Sequence, residues 1–163
     1  LGTLQGTCMS KAKTETIRSI EGLSENFRFN VYAFDCLIDR LWDKLYPAND
    51  TNKATAKAWL RNPSLRARGG TGTGIAVQEA MQAHRSCKTF IVLTDGAPGC
   101  NWANPNRGGA LLLGMVEQRR MIKDANVQGA AVHVFGIDAQ GIYRTWCQAV
   151  AADSNGGTYV DVP

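Results

Sequence analysis

The sequence predicts an α/β domain: a doubly wound, mostly parallel sheet with one antiparallel edge strand and helices on both faces. Two runs carry that expectation. Thr89-Phe90-Ile91-Val92-Leu93-Thr94-Asp95 is unbroken and apolar until it ends on a carboxylate, and Ala130 to Ile137 is a second such run. Strands of this kind are covered on both sides, as in parallel sheets. Around them lie stretches with apolar residues at steps of three and four, the period of a helix packed on one side. Alternation of the two kinds is the pattern of a doubly wound sheet, whose crossovers are right-handed. The 163 residues suit a single domain over 1–163, long enough to bury about 68–70% of the unfolded surface.

Taken in order, Met9, Ala12, Thr16, Ile20 and Leu23 place a helix over roughly residues 8–25. Phe29 to Asp35 follows as a strand. Leu37 to Leu45 alternates imperfectly just after Asp35-Cys36, which reads as an antiparallel edge hairpin. Charges at Asp39, Arg40, Asp43 and Lys44 suit an edge. Thr51 to Arg61 is a short helix stopped by Pro63. Ile75 to His84 is another, with Val77, Ala80 and Met81 inward and Thr71 or Thr73 as its cap. After the strand at 89–95, residues 96–108 are a loop rich in Gly, Pro and Asn. Leu111, Met115 and Ile122, flanked by Leu112 and Val116, mark the next helix. Tyr143, Trp146, Cys147 and Val150 form a helical stripe. Thr158 to Val162 is the last strand, after the Asn155-Gly156-Gly157 turn.

The net charge is +4, but the basic residues are scattered, which argues against a nucleic-acid footprint. No apolar run reaches the length of a membrane span, and Leu1 to Gly6 does not read as a signal peptide. The five cysteines are odd in number, and none has zinc or Cys-x-x-Cys spacing. Four sit beside apolar residues, where cysteine behaves as a small hydrophobe. That usage leans toward an intracellular, reducing compartment.

The phrase Arg68-Gly69-Gly70-Thr71-Gly72-Thr73-Gly74 suggests a dinucleotide loop first. Such a loop needs a buried strand immediately before it. Here Arg61 to Ala67 is polar and contains a proline, unlike a central strand. A nucleotide-binding α/β enzyme is therefore the weaker alternative. In open parallel sheets, ligands bind outside the carboxyl ends of the strands, where Asp35, Asp95 and Asp138 fall. Asp95-Gly96 is the sharpest, and the glycine-rich loop brings Thr71 and Thr73 to the same edge. Carboxylates and hydroxyls are hard donors suited to Mg²⁺, Mn²⁺ or Ca²⁺.

Plainer readings stand beside these. Asp95 can simply open an Asp-Gly turn. Thr71 and Thr73 can be helix caps, the better reading for Thr73. Asp35 and Asp138 read as solvated loop-edge acids, His133 as a packed strand residue, and His84 as a last-turn residue. Trp102, with Asn101, Asn104 and Arg107, is either an exposed binding anchor beside the site or a cover over the core. Trp42, Trp59 and Trp146 fit packing positions. With no Gly-x-Ser-x-Gly elbow and no nucleophile–base pair, the chain does not read as an enzyme.

Gly69-Gly70-Thr71-Gly72-Thr73 and Phe90 to Gly96 resemble the second and third metal motifs of von Willebrand factor type A domains. Met9-Ser10-Lys11-Ala12-Lys13 resembles that family's first helix and Phe29 to Asp35 its second strand. Val132 to Asp138 resembles its fifth strand, and Asn155 to Tyr159 the turn into its last. The resemblance covers nearly the whole chain. It implies a Rossmann-like fold and a metal-ion-dependent adhesion site, with Thr71 and, often through water, Asp95 as ligands of Mg²⁺. The ion's open position would be filled by a partner's carboxylate, because neutral hydroxyl ligands leave the cation under-neutralised. The family's Asp-x-Ser-x-Ser is absent from the sequence. Aligned on the first helix, that motif and its central strand would fall before Leu1. The expectation is therefore a protein-binding module whose central strand comes from another segment or chain. A metal-free structural domain in a larger assembly is the alternative.

Overall fold

The computed structural model describes residues 2–66, 69–104 and 109–163, and for residues 2–6, 101–104 and 109–113 it describes the backbone alone. The chain divides into two compact units, one made of Leu1–Ala33 with Asp39–Arg68, the other of Phe34–Ile38 with Gly69–Pro163.

In the first unit, α1 spans Gly2–Glu21, so it starts earlier than the spacing predicts. Its end is held by Lys53, which donates from Nζ to the carbonyls of Glu21 (3.2 Å) and Leu23; a cation suits the negative end of a helix dipole. The expected strand at 29–35 is split into β1 (Arg28–Phe29) and β2 (Tyr32–Phe34). The cause is Asn30. Its amide oxygen accepts the N–H groups of Val31 (2.8 Å) and Trp42 (3.1 Å), and its Nδ2 donates to the Trp42 carbonyl (2.8 Å). A side chain thus takes ladder positions that backbone would fill. The same contact ends the edge hairpin early. β3 covers only Ile38–Arg40, not the expected 37–45, and pairs with β2, while β4 (Tyr46–Pro47) pairs antiparallel with β1. Helix α2 (Asp50–Arg61) is capped by Asn49, whose side chain accepts from Asn52 N (2.9 Å), and it stops before Pro63 as expected. Ile20, Phe29, Val31, Ala48, Ala56 and Leu60 form this unit's core.

The second unit is built on a parallel sheet. Its helices are α3 (Thr73–Ala83), α4 (Met115–Ala125) and α5 (Gly141–Ala152), and its strands are β5 (Thr89–Thr94), β6 (Cys100–Asn104), β7 (Gly109–Leu113), β8 (Ala131–Ile137) and β9 (Tyr159–Val162). The sheet has three strands in the order β5-β8-β9. Both pairings are parallel, with Thr89 opposite Ala131 and Val134 opposite Tyr159. Val92, Val132 and Val134 point to a core shared with Val77 and Met81 of α3, Ile122 of α4, and Trp146, Cys147 and Val150 of α5. On the other side of the strands, Ile91 and Val160 are 46% and 41% exposed.

Two expectations change. The antiparallel edge strand does not join this sheet; antiparallel pairing occurs in separate two-stranded pieces. Residues 96–108, expected as loop, include β6, which forms an antiparallel hairpin with β7 and sets Trp102 opposite Leu111. Leu111 and Leu112 therefore belong to a strand and not to the following helix. Gly114 ends that strand, and the Glu117 carboxylate accepts the Gly114 N–H (3.2 Å) to start α4.

Candidate functional site

The carboxyl end of β5 and the glycine-rich loop before α3 meet directly. Thr73 and Thr94 are buried, and their hydroxyl oxygens lie 3.4 Å apart. Thr71 is two residues before the first and Asp95 one residue after the second, so the two expected ligands flank this contact along the chain. Neither threonine caps α3; the capping residue is Gly72, which has no side chain to offer. Thr73 instead turns its hydroxyl to β5, and Thr94 Oγ1 goes on to accept the Gly96 N–H (3.2 Å).

Backbone bonds fix the loop. Thr71 N donates to Gly99 O (3.0 Å), and Gly99 N donates back to Thr71 O (2.9 Å). Gly72 N donates to Asp35 O (2.7 Å). Gln118 of α4, fully buried, reaches in from below. Its Oε1 accepts the Gly74 N–H (2.8 Å), and its Nε2 donates to the Thr71 carbonyl (3.0 Å). Gly74 must be glycine for packing, since a Cβ there would sit 2.6 Å from the Gln118 carbonyl oxygen. No sequence signal marks Gln118, which reads as an ordinary polar helix residue.

Asp95 is half-buried, and its Oδ1 accepts the Ala97 N–H (3.1 Å), so the plainer turn-forming role is present too. Gly96 follows with φ 74°, and a Cβ on it would meet Tyr143 O at 2.5 Å and Cys147 Sγ at 2.7 Å. The turn therefore passes tightly over the start of α5. The Cys147 thiol is pushed up to about 12, first by burial and then by the charges of Asp95 and Asp161.

Asp35, expected at a solvated edge, is instead 7% exposed. Its Oδ1 accepts the Leu37 N–H (2.6 Å), closing the turn that presents its carbonyl to Gly72. Asp138 is exposed, with φ 51°. His133 is hydrogen-bonded through Nδ1 to Thr158 Oγ1 (2.7 Å), as a packed strand residue should be. Asn101 and Trp102 lie on β6, where only the backbone is described, and Arg107 lies outside the described residues.

Cys36 and Cys100 form a disulfide, with Cα atoms 5.6 Å apart. Their separation of 64 residues hides the pair from sequence reading. The pairing removes the ground for an intracellular, reducing compartment, since disulfides persist in oxidising surroundings. Gly70 lies against this bond; its φ is 75°, and a Cβ on it would fall 2.3 Å from Cys36 Sγ.

As a cation site the arrangement is partial. Among the described residues no group of three or more His, Cys, Asp or Glu side chains gathers to hold a metal. The Thr71 hydroxyl and the Asp95 carboxylate are hard donors of the right chemistry, but a hard divalent ion takes six or more ligands. Among the described residues no helix is long and apolar enough to cross a membrane.

The sequence model of the von Willebrand factor type A domain matches residues 8–160. A search of curated proteins found no match. Among solved structures, a von Willebrand factor type A protein from Catenulispora acidiphila is similar with a TM-score of 0.68 at 20% identity, over 95% of this chain and 34% of that one. The PilB minor pilin from Streptococcus sanguinis is similar with a TM-score of 0.70 at 15% identity, over 94% of this chain and 50% of that one. An aerotolerance-related membrane protein from Bacteroides fragilis is similar with a TM-score of 0.64 at 20% identity, over 95% and 81% of the two chains. At such identities these likenesses speak for the fold alone.

Proposed function

Because this chain belongs to the von Willebrand factor type A domain family, whose members are in general protein-interaction modules and not enzymes, we propose that it captures a protein partner at the carboxyl end of β5, with residues 1–163 acting as one domain. The observation that supports this reading is the convergence there of the Thr71 loop and the Asp95 turn, pinned by Gln118 and the Thr73–Thr94 contact. A module that binds at loops needs them held still before the partner arrives. The buried hydrogen bonds do that.

In its finer form the proposal includes a divalent cation, Mg²⁺ or in its place Mn²⁺ or Ca²⁺. Thr71 and Asp95 would hold it, with water filling further positions. The ion would supply a positive, open coordination position for an acidic group of the partner. Asn101, Trp102 and Arg107, on or beside the hairpin that follows, would shape which partner fits. Calorimetry with Mn²⁺ tests this on the wild type, Asp95→Ala and Thr71→Ala. Saturable binding by the wild type and its loss in Asp95→Ala are expected. Equal absence of heat in all three would return the chain to a metal-free structural role.

A second reading concerns β5 itself. Among the described strands it pairs with β8 alone, and Ile91 on it is 46% exposed. An uncharged six-residue edge is a template for another strand, supplied by a further segment or another chain. Alternate β5 amides should exchange at near-solvent rates in this chain alone; slow exchange at every β5 amide refutes that reading.

A further inference from the structure

We propose that the Cys36–Cys100 disulfide is a redox latch on the binding rim: reduction frees the loop carrying Thr71 while the sheet stays folded. The sulfur bridge joins two backbone segments that both hold that loop. Cys36 follows Asp35, whose carbonyl accepts the Gly72 N–H (2.7 Å). Cys100 follows Gly99, which exchanges two hydrogen bonds with Thr71, at 3.0 and 2.9 Å. Between the two anchors the loop rests on sulfur itself. A Cβ at Gly70 would sit 2.3 Å from Cys36 Sγ, and one at Gly72 would sit 3.4 Å from Cys100 Sγ.

The bridge stands apart from the sheet's core. Val77, Met81, Val92, Ile122, Val132, Val134 and their neighbours make one cluster that contains neither sulfur. Cys36 and Cys100 belong to a small cluster of their own with Ile75, Ile38 and Met121. Opening the bond therefore removes a tether from the rim and no packing from the sheet. The stretch Phe34–Ile38 groups with Gly69–Pro163 although the chain on either side of it belongs to the other unit. The disulfide is its covalent tie there.

The two sulfurs differ in access. Cys100 is 2% exposed, whereas Cys36 is part-exposed. A thiolate of an external dithiol attacks Cys36 Sγ, breaking the S–S bond and expelling the Cys100 thiolate, which takes up a proton. The second thiol of the reductant then attacks the mixed disulfide and releases Cys36 as a thiol. The protein gains two electrons and two protons, and the reductant leaves as its cyclic disulfide. Reoxidation runs the same steps backward.

Amide exchange read by mass spectrometry tests the latch, on the whole chain before and after dithiothreitol, with peptide mapping of the 36–100 link. The expected result is faster exchange, about tenfold or more, in peptides covering 34–38, 69–73 and 96–100, with β8 unchanged. Cys36→Ser should give the reduced pattern without reductant. Unchanged rim exchange on reduction overturns the proposal. So does loosening that includes β8, or a Cys36→Ser protein that fails to fold, because the bond would then hold the fold and not the rim. Absence of the 36–100 link in the mapped protein overturns it as well.

Discussion

Gln118→Ala is the most informative single change. In the wild type this buried amide accepts the Gly74 N–H at 2.8 Å and donates to the Thr71 carbonyl at 3.0 Å. Truncation leaves the Gly74 donor buried without an acceptor, a loss of about 1–3 kcal/mol. The bond to Thr71 adds about 0.5–1.5 kcal/mol. Water entering the vacated space recovers part of this, so the expected loss is about 1–4 kcal/mol. In a protein of this size each kcal/mol lowers Tm by about 2–4 °C, which places the drop at about 2–16 °C. Thermal unfolding followed by circular dichroism measures it. Gln118→Glu supplies a second arm. It keeps the shape and the bond to Gly74 but turns a carboxylate toward the Thr71 carbonyl, which disfavours the charged form and raises its folded-state pKa. That variant should be least stable at neutral pH and recover as pH falls and the group protonates. A Gln118→Ala protein within about 0.5 kcal/mol of wild type, the range of surface substitutions, would mean the amide does not hold the loop.

Three further outcomes are expected. Gly74→Ala, although alanine is the better helix former, should lose about 1–3 kcal/mol by overpacking against the α4 backbone, seen as a lower urea midpoint; an unchanged midpoint contradicts the close approach of α3 and α4. Arg119 grips Asp153 through two bonds, 2.6 and 2.8 Å, and the guanidinium holds that carboxyl below its ordinary range. The pair therefore stabilises above the unfolded pKa and fades as pH falls through the folded one. Arg119→Ala should cost at most about 1 kcal/mol at pH 7 for a pair at the surface and progressively less as the pH is lowered; a loss that does not shrink on acidification refutes this. Finally, alkylation with iodoacetamide at about pH 8 should modify part-exposed Cys8 and Cys87 but leave Cys147 untouched until unfolding, since burial pushes that thiol up to about 12. Early labelling of Cys147 counts against its burial beneath Gly96.

Several parts of this molecule were legible from residues alone. The runs at 89–94 and 131–137 announce themselves as parallel strands because both of their faces are apolar, and the stripe through Trp146, Cys147 and Val150 gives α5. The glycine loop and Asp95 could be placed at one edge because the carboxyl ends of such strands are where loops gather. What stayed hidden depends on distant partners. Asn30 breaks a strand only because Trp42 comes within reach of its amide. Leu111 and Leu112 fit a helix period as well as a strand, and pairing with Trp102 and Asn101 decides. Cys36 finds Cys100, and Gln118 is buried, because the tertiary fold brings the glycine loop to both. A polar side chain in a helix carries no mark of burial until its partner arrives.

The parallel pairing of β5 with β8 also bears on how the protein is made. Thr89 waits for Ala131, roughly forty residues later, and at ~5–20 residues per second that is a delay of ~2–8 s on the ribosome. For that interval an uncharged, aliphatic-rich segment lacks β8, its hydrogen-bonding neighbour among the described strands. Slowing translation between these segments should lengthen that exposure and favour clumping of nascent chains, whereas faster synthesis or a holdase that covers Phe90 to Leu93 should raise the soluble yield.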